Sequence, residues 1–326
     1  MRVPLVVLAL GCAVSGAAFE VGLPTPNDAL WRADGAELFF QPTVEGTLES
    51  GMFGCRRRGG RRFHEGVDIR CVRRDRRGEC VDPVWSVADG RVVFVNRHPS
   101  RSNYGRYVVV EHEWDGVRVW TLYAHLAEVT SALRAGQPVS KGGQIGIVGR
   151  SANTREGIPP ERAHLHFEIA FMLNPHFDAW YRRRQPKAPS LGPFNGQNFA
   201  GIDPVAVWRA SATNSQWRFR EHLSQLPVGF TVLVRADRFP WRALQPHQCV
   251  GDATGAVAFE VAVTPWGLPV RYWPVAEVTG PIPRLTRVNE ALLRGTTCRQ
   301  LVVAHDGRWR FSAAGREWLE LLTFVP

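Results

Sequence analysis

Two short clusters in this 326-residue chain carry side chains that can bind a metal: His64-Glu65-Gly66-Val67-Asp68 and His164-Leu165-His166-Phe167-Glu168. Imidazole nitrogens and a carboxylate suit zinc, which in catalytic sites takes three protein ligands and keeps a fourth position open. Two histidines and an aspartate supply that set, with a histidine to spare. Residues two apart on a strand share a face. His164 and His166 therefore point together from a strand running Ala163 to Ile169, whose other face is Leu165, Phe167 and Ile169. His64 and Asp68 are also evenly spaced, but Gly66 between them makes a bend an equally good reading. Glu168 shares the histidine face and is placed to support a ligand. Glu65 points away in an extended segment, and neither glutamate is assigned to the site.

Further segments lie between and around these clusters in a definite order. They are Phe53-Gly54-Cys55-Arg56, Asp82 to Val92, Tyr104-Gly105 through His112, Leu122-Tyr123-Ala124-His125-Leu126, and Lys141 to Gly149. Together with the two clusters they resemble the lysostaphin-type zinc endopeptidases of bacterial cell walls. The resemblance runs from about Gly51 to Glu168, roughly a third of the chain. It implies that His64, Asp68 and His166 bind one Zn2+ per chain. It also implies that His125 and His164 are the catalytic histidines beside the metal-activated water. Degenerate members have typically lost ligands; none of the five residues is missing here, which favours an active enzyme. Zinc lowers the pKa of a bound water from about 15.7 to roughly 7 and polarises a carbonyl. A histidine can take the water's proton, and a protonated histidine can stabilise the oxyanion or donate to the leaving amine. The resemblance does not say which histidine does which.

Two departures flank the histidine strand. Ala152 to Ala163 is a longer loop containing Pro159-Pro160, and Leu173 to Phe199 is an insertion rich in Pro, Arg and Asn. Both are candidates to wall the substrate groove, or are surface loops that cost little. Gly201-Ile202-Asp203-Pro204 resembles the family's closing segment, so the catalytic unit is expected to end near Trp208.

The elements that must hold these residues read as mainly β. Arg91–Asn96, Arg106–Glu111 and Val117–Tyr123 are β-branched and aromatic runs, and Asp115-Gly116 is a hairpin signal. Strand after strand without helices predicts an antiparallel sheet with an open groove and the metal on its floor. Beyond about Gln216 the resemblance stops, and a smaller α+β region is expected, with strands near 230–234 and 256–263 and a helix near 218–226. Seven of the twelve tryptophans lie from Trp208 onward. A core role for them is favoured over sugar-binding platforms. The expected organisation is a signal peptide over 1–18, an N-terminal segment over 19–45, the peptidase domain over 46–209, and the C-terminal α+β region over 216–326.

Arg2, the apolar run Val3–Leu10 and the small residues Ser15-Gly16-Ala17-Ala18 read as a secretory leader, too short to span a membrane. Leu10-Gly11-Cys12 is an alternative lipid-anchor site, with Ala9 a poor fit to it. No other stretch is long and apolar enough for a transmembrane segment. Export to the periplasm, cell envelope or medium permits disulfides. Cys71 and Cys80 bracket a polar loop and are expected to pair, which contributes about 2–3 kcal/mol in the chain-entropy model. Cys249 and Cys298 are then expected to pair, leaving Cys55 over or competing for Cys71. The net charge of +10 sits largely in arginine clusters such as Arg56-Arg57-Arg58 and Arg182-Arg183-Arg184. Such a surface suits an anionic wall, and export with no aromatic-basic reader motif argues against nucleic acid.

The reading is a secreted, monomeric zinc endopeptidase that cuts peptidoglycan stem peptides or cross-bridges. The alternatives are a metallopeptidase of exported proteins and a non-catalytic wall-binding regulator. Residues 19–45 are long enough to block the metal, with Asn27 and Asp34 as the reaching groups.

Overall fold

The computed structural model describes residues 20–326; the leader expected over 1–18 and the anchor site at Cys12 lie outside the described residues. The strands in chain order are β1 Gly54–Arg57, β2 Arg62–His64, β3 Val67–Arg70, β4 Pro83–Trp85, β5 Gly90–Asn96, β6 Tyr107–Trp114, β7 Val117–Ala124, β8 Glu128–Val129, β9 Pro138–Val139, β10 Gln144–Ile147, β11 His164–Met172, β12 Phe199–Ile202, β13 Phe230–Arg235, β14 Ala258–Val263, β15 Pro269–Val275, β16 Arg284–Val288, β17 Val302–His305 and β18 Arg308–Phe311.

The principal sheet has seven strands in the path β12-β11-β7-β6-β5-β9, with β3 also paired to β11. Every pairing in it is antiparallel. Asp115 and Gly116 join β6 to β7 with φ of 52° and 75°, the two left-handed residues that a tight hairpin of matching twist requires. β4, β10 and β8 form a small second sheet, and β1 and β2 a separate hairpin. The mainly β antiparallel fold expected from the strand runs is what the chain adopts.

β11 is the axis of the sheet, and all nine of its residues are buried. Its odd face (Leu165, Phe167, Ile169, Phe171) enters the main core, where Phe167 stacks on Trp208 at 5.4 Å. Its even face carries His164, His166 and Glu168. That face then continues through Ala170 and Met172 into a second apolar cluster with Tyr107, Val109, Trp120 and Leu122. Leu191 and Phe194 of the insertion pack on this cluster. The insertion is thus not a free surface loop: its last third covers the metal-side face beyond the histidines. Its helix Phe177–Arg184 buries Phe177 and Trp180. Asn174 donates to the carbonyls of Leu321 and Phe324 behind the last helix, Ala313–Leu322.

The C-terminal residues build the sheet β15-β14-β13-β16 and the hairpin β17-β18. Of the tryptophans from Trp208 onward, Trp208 and Trp241 are fully buried and Trp217 and Trp318 nearly so, with Trp241 6.3 Å from Phe171, while Trp266, Trp273 and Trp309 are half-buried against the core. One continuous apolar cluster runs from the β11 face into this region. The N-terminal segment also belongs to that cluster through Val21, Leu30, Phe39 and Phe40. Asn27 is used up in holding it, donating to Leu38 and Arg70 carbonyls and accepting from Ala29, and Asp34 is exposed. Neither approaches the histidines as a blocking group.

The disulfide expectation needs correction. Cys71 and Cys80 are bonded, Cα atoms 6.0 Å apart, but Cys298 is bonded to Cys55 at 5.6 Å and Cys249 is free. The sequence reading paired neighbours within one region. The fold instead brings the loop after the helix Glu290–Arg294 back onto the β1–β2 hairpin, 243 residues away along the chain.

Candidate metal centre

The register of the central sheet builds most of the site. Antiparallel pairing sets His166 opposite Asp68 and His164 opposite Arg70, so the two sides of the β3–β11 ladder contribute adjacent ligands. His64 ends β2, and the chain bends through Glu65 and Gly66 before β3 begins. The bend has a steric reason: a Cβ at Gly66 would sit 2.1 Å from the Phe167 carbonyl oxygen of β11. Glycine lets the His64 segment fold close against the strand that carries His166.

His64 Nε2 lies 3.1 Å from His166 Nδ1 and 3.2 Å from Asp68 Oδ1, and His166 Nδ1 is 2.9 Å from Asp68 Oδ1. All three residues are buried, and their ligand atoms fall within 4.8 Å of one another. The outward nitrogens fix which atom faces inward. His64 Nδ1 donates to the Met52 carbonyl at 2.9 Å, leaving Nε2 for a metal. His166 Nε2 donates to Glu168 Oε1 at 2.8 Å, leaving Nδ1. Ligand imidazoles anchored in this way on a carbonyl and a carboxylate are the usual support of a metal site. The donor set fits one tetrahedral ion with an open position.

His125 and His164 flank this cluster, their ring centroids 4.9 Å apart and His125 5.9 Å from His166. His125 follows β7 at φ 60°, a left-handed conformation for a non-glycine residue at the point where the strand ends. His125 Nδ1 donates to the Ser151 carbonyl at 2.9 Å, and His164 Nδ1 to the Arg162 carbonyl at 2.7 Å. Both rings therefore keep an unprotonated Nε2, and His164 Nε2 stands 3.6 Å from Asp68 Oδ1. Burial lowers the pKa of His64, His164 and His125, His125 furthest, with His164 and His166 beside it adding to the effect. For Asp68, burial acts upward, but His64, Arg57 and His164 around it hold its carboxyl well below the usual range. His166 goes the other way: burial is outweighed by its bonds to Asp68 and Glu168, and its pKa is pushed up to about 9.

All five residues singled out in the sequence converge here. Glu168, set aside as a possible support, is one: it also accepts the Tyr104 hydroxyl at 2.6 Å, and the Tyr104 ring packs 5.4 Å from His166. Arg57 was missed. Its Nη2 donates to Asp68 Oδ2 at 2.6 Å and to His64 Nε2 at 2.7 Å, so the guanidinium engages lone pairs that a metal would use. In the sequence it is one arginine among three, and nothing but the β1–β2 hairpin distinguishes it. Cys71, Cys80 and Asp82 also lie close together, but the cysteines are bonded to each other, and Asp82 accepts from the Val72 and Arg73 amides.

Residues 62–176, which include all five residues, match the model of Peptidase family M23. The chain is 38% identical over 87 residues to the peptidoglycan DD-endopeptidase ShyA of Vibrio cholerae, covering 27% of this chain and 17% of that protein. It is 33% identical over 94 residues to ShyB of the same organism, covering 28% and 18%. This chain thus spans less than a fifth of either relative's length. A crystal structure of a zinc containing peptidase from Vibrio cholerae aligns at 30% identity over 33% of this chain and 26% of that one, with a TM-score of 0.24. The His64–Asp68–His166 cluster, its two flanking histidines and the strands that carry them thus all lie within residues 62–176, the stretch that matches the model of Peptidase family M23.

Proposed function

We propose that this protein is an exported zinc endopeptidase that hydrolyses peptide bonds in peptidoglycan stem peptides or cross-bridges. The observation that carries the proposal is the placement of the His125 and His164 rings, each bonded through Nδ1 to a backbone carbonyl, beside a buried His64–Asp68–His166 cluster. Zinc held by that cluster supplies Lewis acidity, activating water and polarising the scissile carbonyl. The chain's own residues do the rest. With their Nδ1 protons committed to backbone carbonyls, His125 and His164 are neutral bases near neutral pH, and either Nε2 can accept the proton of the attacking water. The imidazolium so formed can stabilise the developing oxyanion or return the proton to the leaving amine. The carbonyl bonds prevent either ring from turning and so fix the direction of transfer. Glu168 and Tyr104 hold the His166 ring.

The choice of peptidoglycan rests on the two curated relatives, which are named as peptidoglycan DD-endopeptidases. The two disulfides suit an oxidising compartment. No helix among the described residues is long and apolar enough to cross a membrane. Digestion of purified peptidoglycan should release new amino termini with the zinc-loaded protein, and should stop with a chelator or with His164→Ala. Failure on several wall types, with casein cleaved instead, would move the reading to a peptidase of exported proteins. Failure on both would favour a binding role.

A further inference from the structure

Of the three metal-binding side chains, His64 stands on the least supported element. β2 is three residues long and pairs only with β1, in a two-stranded hairpin whose turn is the exposed Arg58-Gly59-Gly60-Arg61. An isolated two-stranded hairpin is marginal in water, so something else must hold it. Glu45, Ser50 and Met52 bond to it from just before the hairpin, and further contacts come from the far end of the chain. Arg299 Nη2 donates to Glu65 Oε1 at 2.7 Å, and the same guanidinium lies 4.7 Å over the Phe63 ring. Phe63 and Glu65 are the residues immediately before and after His64. Trp266 stacks on Phe63 at 6.3 Å and meets Phe53 edge-on at 5.9 Å. Thr297 donates to the Gly60 carbonyl at 2.6 Å, and Cys298 is bonded to Cys55 in β1. Arg299 itself sits at φ 45°, a left-handed conformation that an arginine adopts only where its surroundings hold it.

We propose that Arg299, bolted in place by the Cys55–Cys298 disulfide, is a positioning residue for metal binding: one guanidinium grips both neighbours of His64 and presents that imidazole to Asp68 and His166. The proposal gives the C-terminal region a task in the metal centre, and it rests on the zinc site proposed above. Arginine suits the task because its flat face covers an aromatic ring while its edge pairs with a carboxylate. The disulfide fixes where that guanidinium starts from.

The test is the zinc affinity of the full mature chain, read by competition with a chromophoric chelator. Wild type, Arg299→Ala, Arg299→Lys, Glu65→Gln and the Arg299→Ala/Glu65→Gln double variant are compared, with thermal unfolding of each metal-free protein in parallel. Supporting residues of metal ligands are worth about 10–100-fold in affinity, and a loss of about tenfold is expected for Arg299→Ala. Glu65→Gln should lose less, Arg299→Lys should recover part of the loss, and the double variant should be no weaker than Arg299→Ala. Cys55→Ser/Cys298→Ser should weaken zinc in the same direction. Wild-type affinity in Arg299→Ala, or losses that simply add in the double variant, would overturn the clamp while leaving the zinc enzyme intact. If Arg299→Ala does not fold, the near-isosteric Glu65→Gln decides alone, and unchanged affinity there overturns the proposal. A wild type that takes up no zinc defeats the functional reading itself, which is a separate result.

Discussion

The floor of the metal centre and its rim are built by different means. Asp68, His164 and His166 stand on β3 and β11, paired residue by residue within a seven-stranded sheet and backed by an apolar core. His64 and Arg57 stand on a two-stranded hairpin outside that sheet, held by the neighbouring Ser50 and Met52 carbonyls and by remote side chains. On the floor, ligand geometry follows from backbone register. On the rim, it follows from side-chain contacts made over the whole length of the chain. Damage to the floor should therefore appear as lost stability, and damage to the rim as altered metal affinity.

The largest effect should come from the floor. Phe167→Ala removes a fully buried ring stacked on Trp208 and 5.3 Å from Tyr123. It should cost about 3–5 kcal/mol in denaturant unfolding. A loss below about 1 kcal/mol would mean that the sheet does not support the site as described.

His112 probes the same sheet by pH. Its Nδ1 donates to the Asp89 carbonyl and its Nε2 meets Thr121 Oγ1, both at 2.8 Å, and burial lowers its pKa to about 4. An unfolded histidine titrates near 6.5. The folded pKa is the lower one, so the stabilisation is complete above pH 6.5 and is lost as pH falls towards 4. The difference amounts to about 3 kcal/mol. His112→Gln should be less stable at pH 7 and should flatten unfolding curves between those pH values. An unchanged slope would exclude His112 as the source.

Glu168 is the exception on the floor, because its carboxylate acts on a ligand rather than on packing: Glu168→Gln weakens the acceptor behind His166 and should lower zinc affinity by roughly tenfold or more. Chelator competition measures it, and the melting temperature should change little by comparison. The smallest effect belongs to Arg57. Its guanidinium holds lone pairs of His64 and Asp68, with 17% of its side chain exposed. Arg57→Ala should strengthen zinc binding by up to about tenfold, the order of one hydrogen bond to a charged group. Weaker binding instead would make Arg57 a support of the rim, like Arg299.

Much of the centre was legible because its signals are local. His164, His166 and Glu168 alternate with Leu165, Phe167 and Ile169, and a period of two places them on one face without reference to the rest of the chain. Gly66 made a bend after His64 one of two equal readings, and Asp115-Gly116 signalled the β6–β7 turn. The residue set implied by the family resemblance is the set that converges. Arg57 was hidden because arginine clusters are ordinarily solvated, and only the hairpin turns this one towards Asp68. The Cys55–Cys298 bond was hidden because pairing depends on distance in space, and its partners are 243 residues apart.

Residue type and short-range period by themselves marked the two candidate clusters, the strands that carry them and the antiparallel class, while the family resemblance implied which residues bind the metal. Tertiary structure alone decided what the remaining residues do. It chose, of the insertion's two readings, the one that packs it on the metal-side face, bonded Cys298 to Cys55, and brought Arg299 to the two neighbours of His64. The physical reason is that backbone geometry repeats every two residues along a strand. A contact between distant segments depends instead on how every intervening element packs, and no local pattern records that.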